Sequence, residues 1–273
     1  MKKIINLPDD FVSESIEGLV NSYPNTYKYS NITNKVLVRA KKASNKVGLV
    51  SGGGSGHLPL FTGYIGEGLL DSCAIGNVFA SPSVDEISTA IKEADSGKGV
   101  LCIYGNYGGD VMNFDMASEM LEMEDLKVES IVVADDVASA PKEEKEKRRG
   151  VTGMLYVYKI AGAMAETGAS FDEVKRIAIK TNENIRTMGI ALTPTILPQA
   201  GKPTFEIADD EMEIGMGIHG EPGIRRGKLK SADEITNELS DKILDDINLS
   251  SGDEISVLIN KKNTKKALIA LHK

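Results

Sequence analysis

The sequence predicts an α/β fold with two lobes, built from parallel and mixed β-sheets flanked by helices. Short runs of β-branched residues alternate with longer stretches of helical apolar spacing along most of the 273 residues. Such alternation is typical of parallel βαβ units with right-handed crossovers. Further along, Pro194, Pro198 and Pro203 interrupt helical continuity. We therefore predict an N-terminal lobe at 1–187 and a C-terminal lobe at 188–273.

The elements of the first lobe follow from residue spacing. Apolar positions three and four residues apart predict helices at 11–21, 84–94, 115–124, 156–167 and 171–183. Short β-branched runs predict strands at 46–50, 100–104 and 128–133. Ligands bind at the carboxyl ends of the strands in such sheets. Glycine-rich or acidic segments follow Val50, Tyr104 and Val133, which places candidate binding loops at that edge.

The second lobe is predicted from weaker patterns. Alternating polar and apolar residues predict strands at 205–207 and 212–216. An amphipathic pattern predicts a helix at 232–247, and an apolar run predicts a final strand at 255–259.

Composition narrows the class of protein. A net charge of −8 without a basic stripe argues against nucleic acid as the main ligand, and the run 145–149 is interpreted as a solvated loop or the start of a helix. No apolar run reaches the ~20 residues of a membrane span, and no signal-peptide pattern is present, so we expect no membrane partner. Two isolated cysteines, Cys73 and Cys102, fit neither a disulfide framework nor a zinc site, which favours a cytoplasmic location.

The stretch SGGGSGH, at 51–57, follows the first predicted strand. His57 stands where a phosphate-binding P-loop needs lysine. The same residue replaces a glycine that both the dinucleotide fingerprint and a nucleophile elbow on Ser55 would need. Two interpretations remain: a loop whose backbone N–H groups approach a small ligand beside an imidazole, or a tight turn with a surface histidine.

Two more glycine-rich loops carry chemistry-bearing residues. GNYGGD at 105–110 delivers Asp110, either as a general base or as a helix N-cap. GIHGEPG at 217–223 holds His219, either as a reactive group or as an incidental residue of a surface hairpin. If the three loops converge, they form a His/His/Asp pocket. Its chemistry is either metal binding or acid–base and nucleophilic catalysis on a small polar molecule, and spacing leaves both open.

The order of these motifs resembles the K subunit of dihydroxyacetone kinases. The matching segments are SGGGSGH (51–57), GYIGEG (63–68), NYGGDVMNF (106–114), ADDVAS (134–139), KRRGV (147–151), QAGKP (199–203) and EMEIGMGIHGEPGI (211–224). They follow the family's order up to about Asn260. The resemblance implies two α/β lobes and a homodimer.

The resemblance also implies a mechanism and a set of site residues. His219 would add to the carbonyl of a short ketose such as dihydroxyacetone and form a covalent hemiaminal. Asp110 would act as the general base on the accepting hydroxyl. His57 would hydrogen-bond the substrate and assist proton transfer. The residues that would line the pocket with backbone groups are Gly54, Ser55 and Gly56.

The resemblance further implies that this chain holds substrate while another protein supplies phosphate. No nucleotide motif and no metal site is predicted in this subunit. The phosphoryl donor would be a separate L subunit that carries ADP and magnesium and is recharged by an M subunit. The implied activity is that of a phosphotransferase dependent on phosphoenolpyruvate.

Two departures from the family pattern leave alternatives open. Gly105 stands where many members have a lysine, and Leu58 where many have a glutamate. Both alter the polarity of the pocket, so a four-carbon ketose such as erythrulose is an alternative substrate. A ketose sensor that serves a transcription factor is an alternative role. Asp110 favours the enzyme, because a sensor needs the covalent histidine but no general base.

The C-terminal stretch KKNTKKALIALHK, at 261–273, is a third departure. It is rich in lysine and is interpreted as unrelated to the family and as the mark of a truncation. We expect the second lobe to lose strands and the protein to lose stability, since unpaired strand edges and apolar surface would be exposed.

Overall fold

A computed structural model describes residues 4–259. It confirms the α/β class and the mixed sheets. The strands of the larger sheet are β1 (Tyr27–Tyr29), β2 (Val36–Arg39), β3 (Gly48–Ser55), β4 (Ser72–Val78), β5 (Val100–Gly105) and β6 (Val128–Val133). The helices are α1 (Phe11–Ser22), α2 (Val84–Ala94), α3 (Gly108–Glu122), α4 (Met154–Glu166), α5 (Phe171–Glu183) and α6 (Ala232–Asp246).

The larger sheet has the strand order β1-β2-β4-β3-β5-β6. Strands β4, β3, β5 and β6 run parallel, while β2 is antiparallel to β4 and β1 is antiparallel to β2. Helices α1, α4 and α5 pack on one face, and α2 and α3 pack on the other. The parallel neighbours β3 and β5 therefore deliver the segments that follow them, including His57 and Asp110, to one edge of the sheet.

The predicted helices of the first lobe are confirmed, with one important difference in length. α3 begins at Gly108, seven residues before the predicted start at Asp115. Tyr107 is the N-cap residue, so Asp110 lies inside the first helical turn. The N-cap interpretation of Asp110 is therefore wrong. The residue pattern does not indicate this first turn, because the turn begins with Gly108 and Gly109 and glycine disfavours helix formation.

The glycine stretch belongs mainly to a strand and not to a loop. Ser51 through Ser55 continue β3, and the three glycines among them, Gly52, Gly53 and Gly54, are buried and pair with β4. A Cβ on Gly53 would lie 2.1 Å from the ring of Phe61, and one on Gly52 would lie 2.8 Å from a backbone oxygen of β4. The glycines thus allow neighbouring groups to pack directly on the strand backbone.

The second, smaller sheet contains β7 (Ile190–Ala191), β8 (Glu211–Ile214) and β9 (Arg225–Lys228), all antiparallel. β8 and α6 confirm two predicted elements. The predicted strand at 205–207 is wrong, as is the one at 255–259, where the structure has no regular pairing. Ile255 and Val257 are more than half exposed, and among residues 4–259 no strand pairs with that apolar run.

The basic run at 145–149 is not solvated throughout, and its interpretation as a solvated segment is wrong at its end. Arg148 is almost fully buried, and its Nη1 and Nη2 atoms donate to the Asp246 carboxylate at 2.8 and 2.6 Å. Arg186 donates to the same carboxylate. Hydrogen bonds from Arg148 lower the pKa of Asp246 to about 2. This cluster fastens the end of α6 to the first sheet and its helices.

Three predictions remain: the lobe boundary, the nature of the C-terminal tail and the absence of a membrane span. The lobe boundary at 187/188 stays a prediction, although the second sheet begins close to it. The expectations about the tail at 261–273 lie outside the described residues. Within 4–259, no helix combines the length and the apolar character needed to cross a membrane.

Candidate active site

Two histidines from distant parts of the chain face each other at the edge of the larger sheet. The Nε2 atom of His57 lies 3.0 Å from the Nε2 atom of His219, and the ring planes are nearly perpendicular. His57 follows β3, and His219 lies in the turn between β8 and β9. The convergence that the sequence left conditional is thus present for this pair.

Phe79 forms a wall against both imidazoles. Its ring stacks on His57 with a centroid distance of 4.5 Å and meets His219 edge-on at 5.2 Å. Phe79 adopts the left-handed backbone conformation, with φ of 56°. That conformation is rare for a bulky residue and costs about 1–3 kcal/mol. No sequence signal pointed to this position.

Glu221 determines how the His219 ring is oriented. Its Oε1 lies 2.9 Å from Nδ1 of His219, and its Oε2 accepts the backbone N–H of the same residue at 3.0 Å. Burial raises the pKa of Glu221, but these hydrogen bonds outweigh it and bring the pKa to about 2. An ionised carboxylate only accepts, so in the neutral ring of His219 Nδ1 carries the proton and Nε2 presents its lone pair.

The tautomer of His57 follows from that of its neighbour. Burial lowers the pKa of His57 to about 4, helped by the positive charge that His219 carries when it is protonated, so the His57 ring is neutral near pH 7. Because Nε2 of His219 is the acceptor in the contact between the rings, Nε2 of His57 is the donor. The pair therefore presents a nucleophilic nitrogen directly opposite an N–H donor.

Asp110 approaches the same region from the first turn of α3. It is 7% exposed, and its Oδ1 has no hydrogen-bond partner among residues 4–259. Burial raises the pKa of Asp110, while a hydrogen bond with Ser81 and the positive charge that His219 carries when protonated partly oppose that rise. A buried carboxylate with a free oxygen and a raised pKa is suited to accept a proton from a hydroxyl.

Tyr107 lies behind His219 and occupies the space next to Gly105. Its ring meets the His219 ring edge-on at 4.8 Å. A Cβ on Gly105 would come within 3.1 Å of the Tyr107 ring and 3.2 Å of a backbone oxygen of Gly150. A lysine at that position would therefore displace its neighbours. Leu58, the second departure, is 60% exposed beside His57.

The pocket-lining residues have structural partners of their own. The Ser55 hydroxyl donates to the Gly76 carbonyl at 2.7 Å, which leaves it bound within the sheet. Side chains on Gly54 or Gly56 would contact the Phe79 segment, so these glycines let Phe79 approach His57. Their contact with a ligand stays a prediction. No group of three or more His, Cys, Asp or Glu that could hold a metal ion occurs among the described residues.

Sequence reasoning missed three residues that shape the site. Phe79 lies in no motif. Arg149, whose Nη2 donates to the Gly215 carbonyl oxygen at the start of the His219 loop, lies in the run interpreted as solvated. Glu221 stood within GIHGEPG, two residues after the histidine that it binds. A carboxylate at that spacing was the one available signal for it.

The fold and the site define an α/β protein in which two imidazoles from segments of separate sheets face each other near a buried carboxylate. Residues 17–269 match the family model described as the Dak1 domain. The chain belongs to the Dak1 domain family. The match continues to residue 269, so the interpretation of the tail as unrelated to the family is wrong for most of its length.

Individual relatives agree with that assignment. The chain is 46% identical to the dihydroxyacetone-binding subunit DhaK of a PTS-dependent dihydroxyacetone kinase from Listeria innocua, covering 95% of this chain and 79% of that one. It is 40% identical to an L-erythrulose 1-kinase from Mycolicibacterium smegmatis, covering 89% of this chain and 42% of that one.

Solved structures give the same family. The crystal structure of the dihydroxyacetone kinase of C. freundii in its native form matches with a TM-score of 0.85 and 35% identity, covering 90% of this chain and 46% of that one. A dihydroxyacetone kinase operon co-activator, DhaQ, matches with a TM-score of 0.78 and 37% identity, covering 84% of this chain and 70% of that one.

Proposed function

We propose that this protein is the ketose-binding subunit of a dihydroxyacetone kinase and holds dihydroxyacetone on His219 while a partner phosphorylates it. The observation that carries the proposal is the 3.0 Å contact between the Nε2 atoms of His57 and His219, with Glu221 fixing the second ring. The likeness to dihydroxyacetone-binding subunits supports the choice of substrate.

The covalent step uses the lone pair on Nε2 of His219. This nitrogen forms a bond to the carbonyl carbon of the ketose, and the carbonyl π pair moves onto oxygen. Overall, one proton passes from the imidazole to that oxygen, which gives a neutral hemiaminal. Glu221 faces the Nδ1–H that is released and stabilises the positive charge that develops on the ring.

His57 supplies the complementary group. Its Nε2–H, which meets Nε2 of His219 in the structure, donates instead to the oxygen that gains charge. A polyol such as glycerol has no carbonyl carbon to bond with His219. It therefore forms no covalent bond that would offset the hydrogen bond lost when the two rings separate. Covalent attachment thereby distinguishes ketones from polyols and orients a molecule that offers little binding surface.

Asp110 is proposed to act on the terminal hydroxyl of the bound ketose. Its unpartnered Oδ1 accepts the hydroxyl proton while the hydroxyl oxygen bonds to phosphorus, and the bond from that phosphorus to the nucleotide of the recharged partner breaks to leave ADP. Burial raises the pKa of Asp110, which makes it a better base than a solvated aspartate. The chain shows no phosphate-binding glycine motif of its own.

The partners and the setting of the reaction belong to the same proposal. We propose that phosphate comes from a separate L subunit carrying ADP and magnesium, which an M subunit recharges. A homodimer and a cytoplasmic location are proposed with it. Both cysteines are buried and free, which agrees with a reducing compartment.

Two alternatives have specific support. The likeness to an L-erythrulose kinase, together with Gly105 and Leu58, favours a four-carbon ketose as substrate. The likeness to the operon co-activator favours a ketose sensor. Asp110 argues for the kinase subunit, since hemiaminal formation alone needs only the two histidines and Glu221.

Ligand-dependent stability is the first test of the proposal. Melting curves of the parent chain, of His219→Ala and of the surface control Asn237→Ala are recorded with dihydroxyacetone, erythrulose or glycerol. A ligand at one hundred times its Kd adds about 2.7 kcal/mol to the stability of the folded state. We expect a ketose to stabilise the parent and Asn237→Ala but not His219→Ala, and glycerol to have no effect. Equal ketose shifts in the parent and in His219→Ala would contradict the covalent role.

Two further measurements separate chemistry from binding. With dihydroxyacetone labelled with ¹³C at C2, the carbonyl signal should be replaced by that of a tetrahedral carbon in the parent only. Asp110→Asn should keep this signal but lose phosphoryl transfer from an ADP-carrying partner. If the parent forms the adduct and yet accepts no phosphate from such a partner, the sensor is the better description.

A further inference from the structure

We propose that Arg149 is a positioning residue that holds the His219 imidazole in register with His57. The inference rests on the proposed function, since it concerns how the same site is assembled. The two histidines come from segments of separate sheets, and a reacting nitrogen misplaced by about 1 Å costs up to ~100-fold in rate. Their relative position therefore depends on contacts that join the two sheets.

The backbone of Arg149 is fixed to the larger sheet. Its carbonyl oxygen accepts the backbone N–H groups of Asp135 and Asp136, each at 3.1 Å, just beyond the end of β6. Its own N–H donates to the Ser139 hydroxyl at 3.0 Å. Arg149 therefore moves with the sheet that carries His57 and Asp110.

The side chain of Arg149 reaches across to the loop that carries His219. Its Nε donates to Asp136 at 2.9 Å, and Nη2 lies 2.7 Å from the same carboxylate oxygen. Nη2 also donates to the carbonyl oxygen of Gly215 at 2.8 Å. Gly215 ends β8 in the left-handed conformation, with φ of 78°, where the loop begins. One guanidinium thus joins a fixed carboxylate to the first residue of the loop.

The other end of the guanidinium lies beside the carboxylate that orients His219. A Cβ on Gly217 would lie 2.4 Å from Nη1 of Arg149 and 2.1 Å from Oε2 of Glu221. The Arg149 guanidinium and the Glu221 carboxylate therefore both lie against the position of Gly217, and a side chain there would push them apart. Glu221 in turn binds Nδ1 of His219. The path from Asp136 through Arg149 reaches the loop at the Gly215 carbonyl, and across Gly217 it faces the carboxylate that holds the nucleophilic ring.

Arg148 provides the natural comparison. It is adjacent in sequence and it also joins the first sheet to the later part of the chain, but its partner is Asp246 at the end of α6. A purely structural role for Arg149 predicts that the two arginines behave alike. A positioning role predicts that only Arg149 acts on the imidazole.

The test compares Arg149→Lys and Arg149→Met with Arg148→Met, using dihydroxyacetone as the probe and the full chain throughout. Lysine keeps the charge, but one ammonium cannot bind Asp136 and Gly215 in the planar fork geometry of a guanidinium. We expect Kd for dihydroxyacetone to rise at least tenfold in Arg149→Met and by less in Arg149→Lys. Arg148→Met should melt at a lower temperature, with Kd within about twofold of the parent value when measured well below its melting point.

A spectroscopic readout covers the case in which a variant is merely destabilised. The Nδ1–H proton of His219, held by Glu221, should give a hydrogen-bonded imidazole NMR signal in the parent and in Arg148→Met. It should shift or exchange rapidly in Arg149→Met, and added guanidinium ion should partly restore both that signal and Kd. Unchanged Kd and an unchanged signal in both Arg149 variants would overturn the positioning role. If the parent itself binds no ketose, the proposed function fails, whereas the NMR comparison still decides whether Arg149 orients the ring.

Discussion

The two histidines of the site are held by two very different kinds of structure. His57 follows a strand buried in a six-stranded sheet with a helical layer on each face. His219 lies in a segment where, among the described residues after 188, only Met212 and Ile214 are buried apolar side chains. The first region is positioned by close packing, and the second by hydrogen bonds and ion pairs to the first.

This difference explains where charged residues are buried. Arg148, Arg149 and Glu213 are all largely buried, and each contacts the second region or belongs to it. Such bonds depend on direction, so they specify a geometry that a few apolar contacts would leave loose. In a site assembled from both regions, the half that carries His57 is rigid. The position of the half that carries His219 depends on single charged residues.

The largest expected effect tests the packing of the first region. Gly53→Ala places a methyl group 2.1 Å from the Phe61 ring. We expect a loss of about 3–4 kcal/mol in the free energy of unfolding, because the overpacked core has to shift. The control is Gly189→Ala beside the smaller sheet, where no atom lies within 4 Å and the change should stay within about 0.5 kcal/mol. Urea denaturation measures both, and similar losses would remove the contrast between the regions.

The second prediction tests the ionic fastening of α6. Asp246→Ala leaves Arg148 and Arg186 without their shared carboxylate, which costs about 3 kcal/mol. Amide exchange should quicken in α6 and remain slow in β3. The control is Asp245→Ala, at an exposed position on the same helix, with an expected change below about 0.5 kcal/mol. Equal exchange in α6 of both variants would show that packing, and not this ion pair, holds the helix.

The third prediction concerns pH and the half-buried ring of His57. Its folded pKa of about 4 lies below the unfolded value of 6.5, so between these values the unfolded chain binds more protons. The His57 contribution therefore reduces stability as pH falls from 6.5 to 4. His57→Gln should gain about 2–3 kcal/mol relative to the parent over that interval and show no further relative change above pH 7. Denaturation at unit steps from pH 4 to 8 measures it, and a constant difference would refute the depressed pKa.

The smallest effect concerns the closing end of the His219 loop. Glu213 accepts the backbone N–H of Gly223 at 2.7 Å and binds Arg226 through its other oxygen. Glu213→Gln should cost about 1–1.5 kcal/mol and weaken ketose binding modestly, since the amide keeps the shape but loses the charge. Glu211→Gln on the same strand is the matched control. If both variants bind dihydroxyacetone like the parent, the loop is held mainly at its Arg149 end.

The same contrast between regions shows how far the sequence alone could lead. The helix at Val84–Ala94 and the strand at Val128–Val133 were predicted with their observed bounds, because burial against one core imposes a clear period on the residues. The strand at Arg225–Lys228 was missed, since an exposed basic edge strand carries no apolar alternation. The glycine run predicts a loop, because glycine disfavours strands; it forms a strand here because neighbouring groups pack directly on its backbone.

The site was predictable in its reactive residues and not in their support. His57, Asp110 and His219 stood out through glycine-rich surroundings and the family resemblance. Their roles stay predictions, while the contact between the two rings is now a structural observation. Phe79 and Arg149 act through tertiary contacts with no local spacing rule, so the role of neither follows from the spacing of residues in the sequence.

Phe79 has a consequence for the mutational tolerance of the protein. Its left-handed backbone favours glycine or asparagine, whereas stacking on His57 favours an aromatic ring. No ordinary residue combines a low-strain left-handed backbone with an aromatic ring. Each substitution therefore either relieves the backbone strain and loses the stacking on His57, or keeps the stacking together with the strain. In a saturation scan scored for ketose use, this half-exposed position should tolerate as few residues as the buried core does. Substitutions at the exposed Leu58 should therefore be tolerated far more often than substitutions of Phe79, whose ring forms the wall against His57.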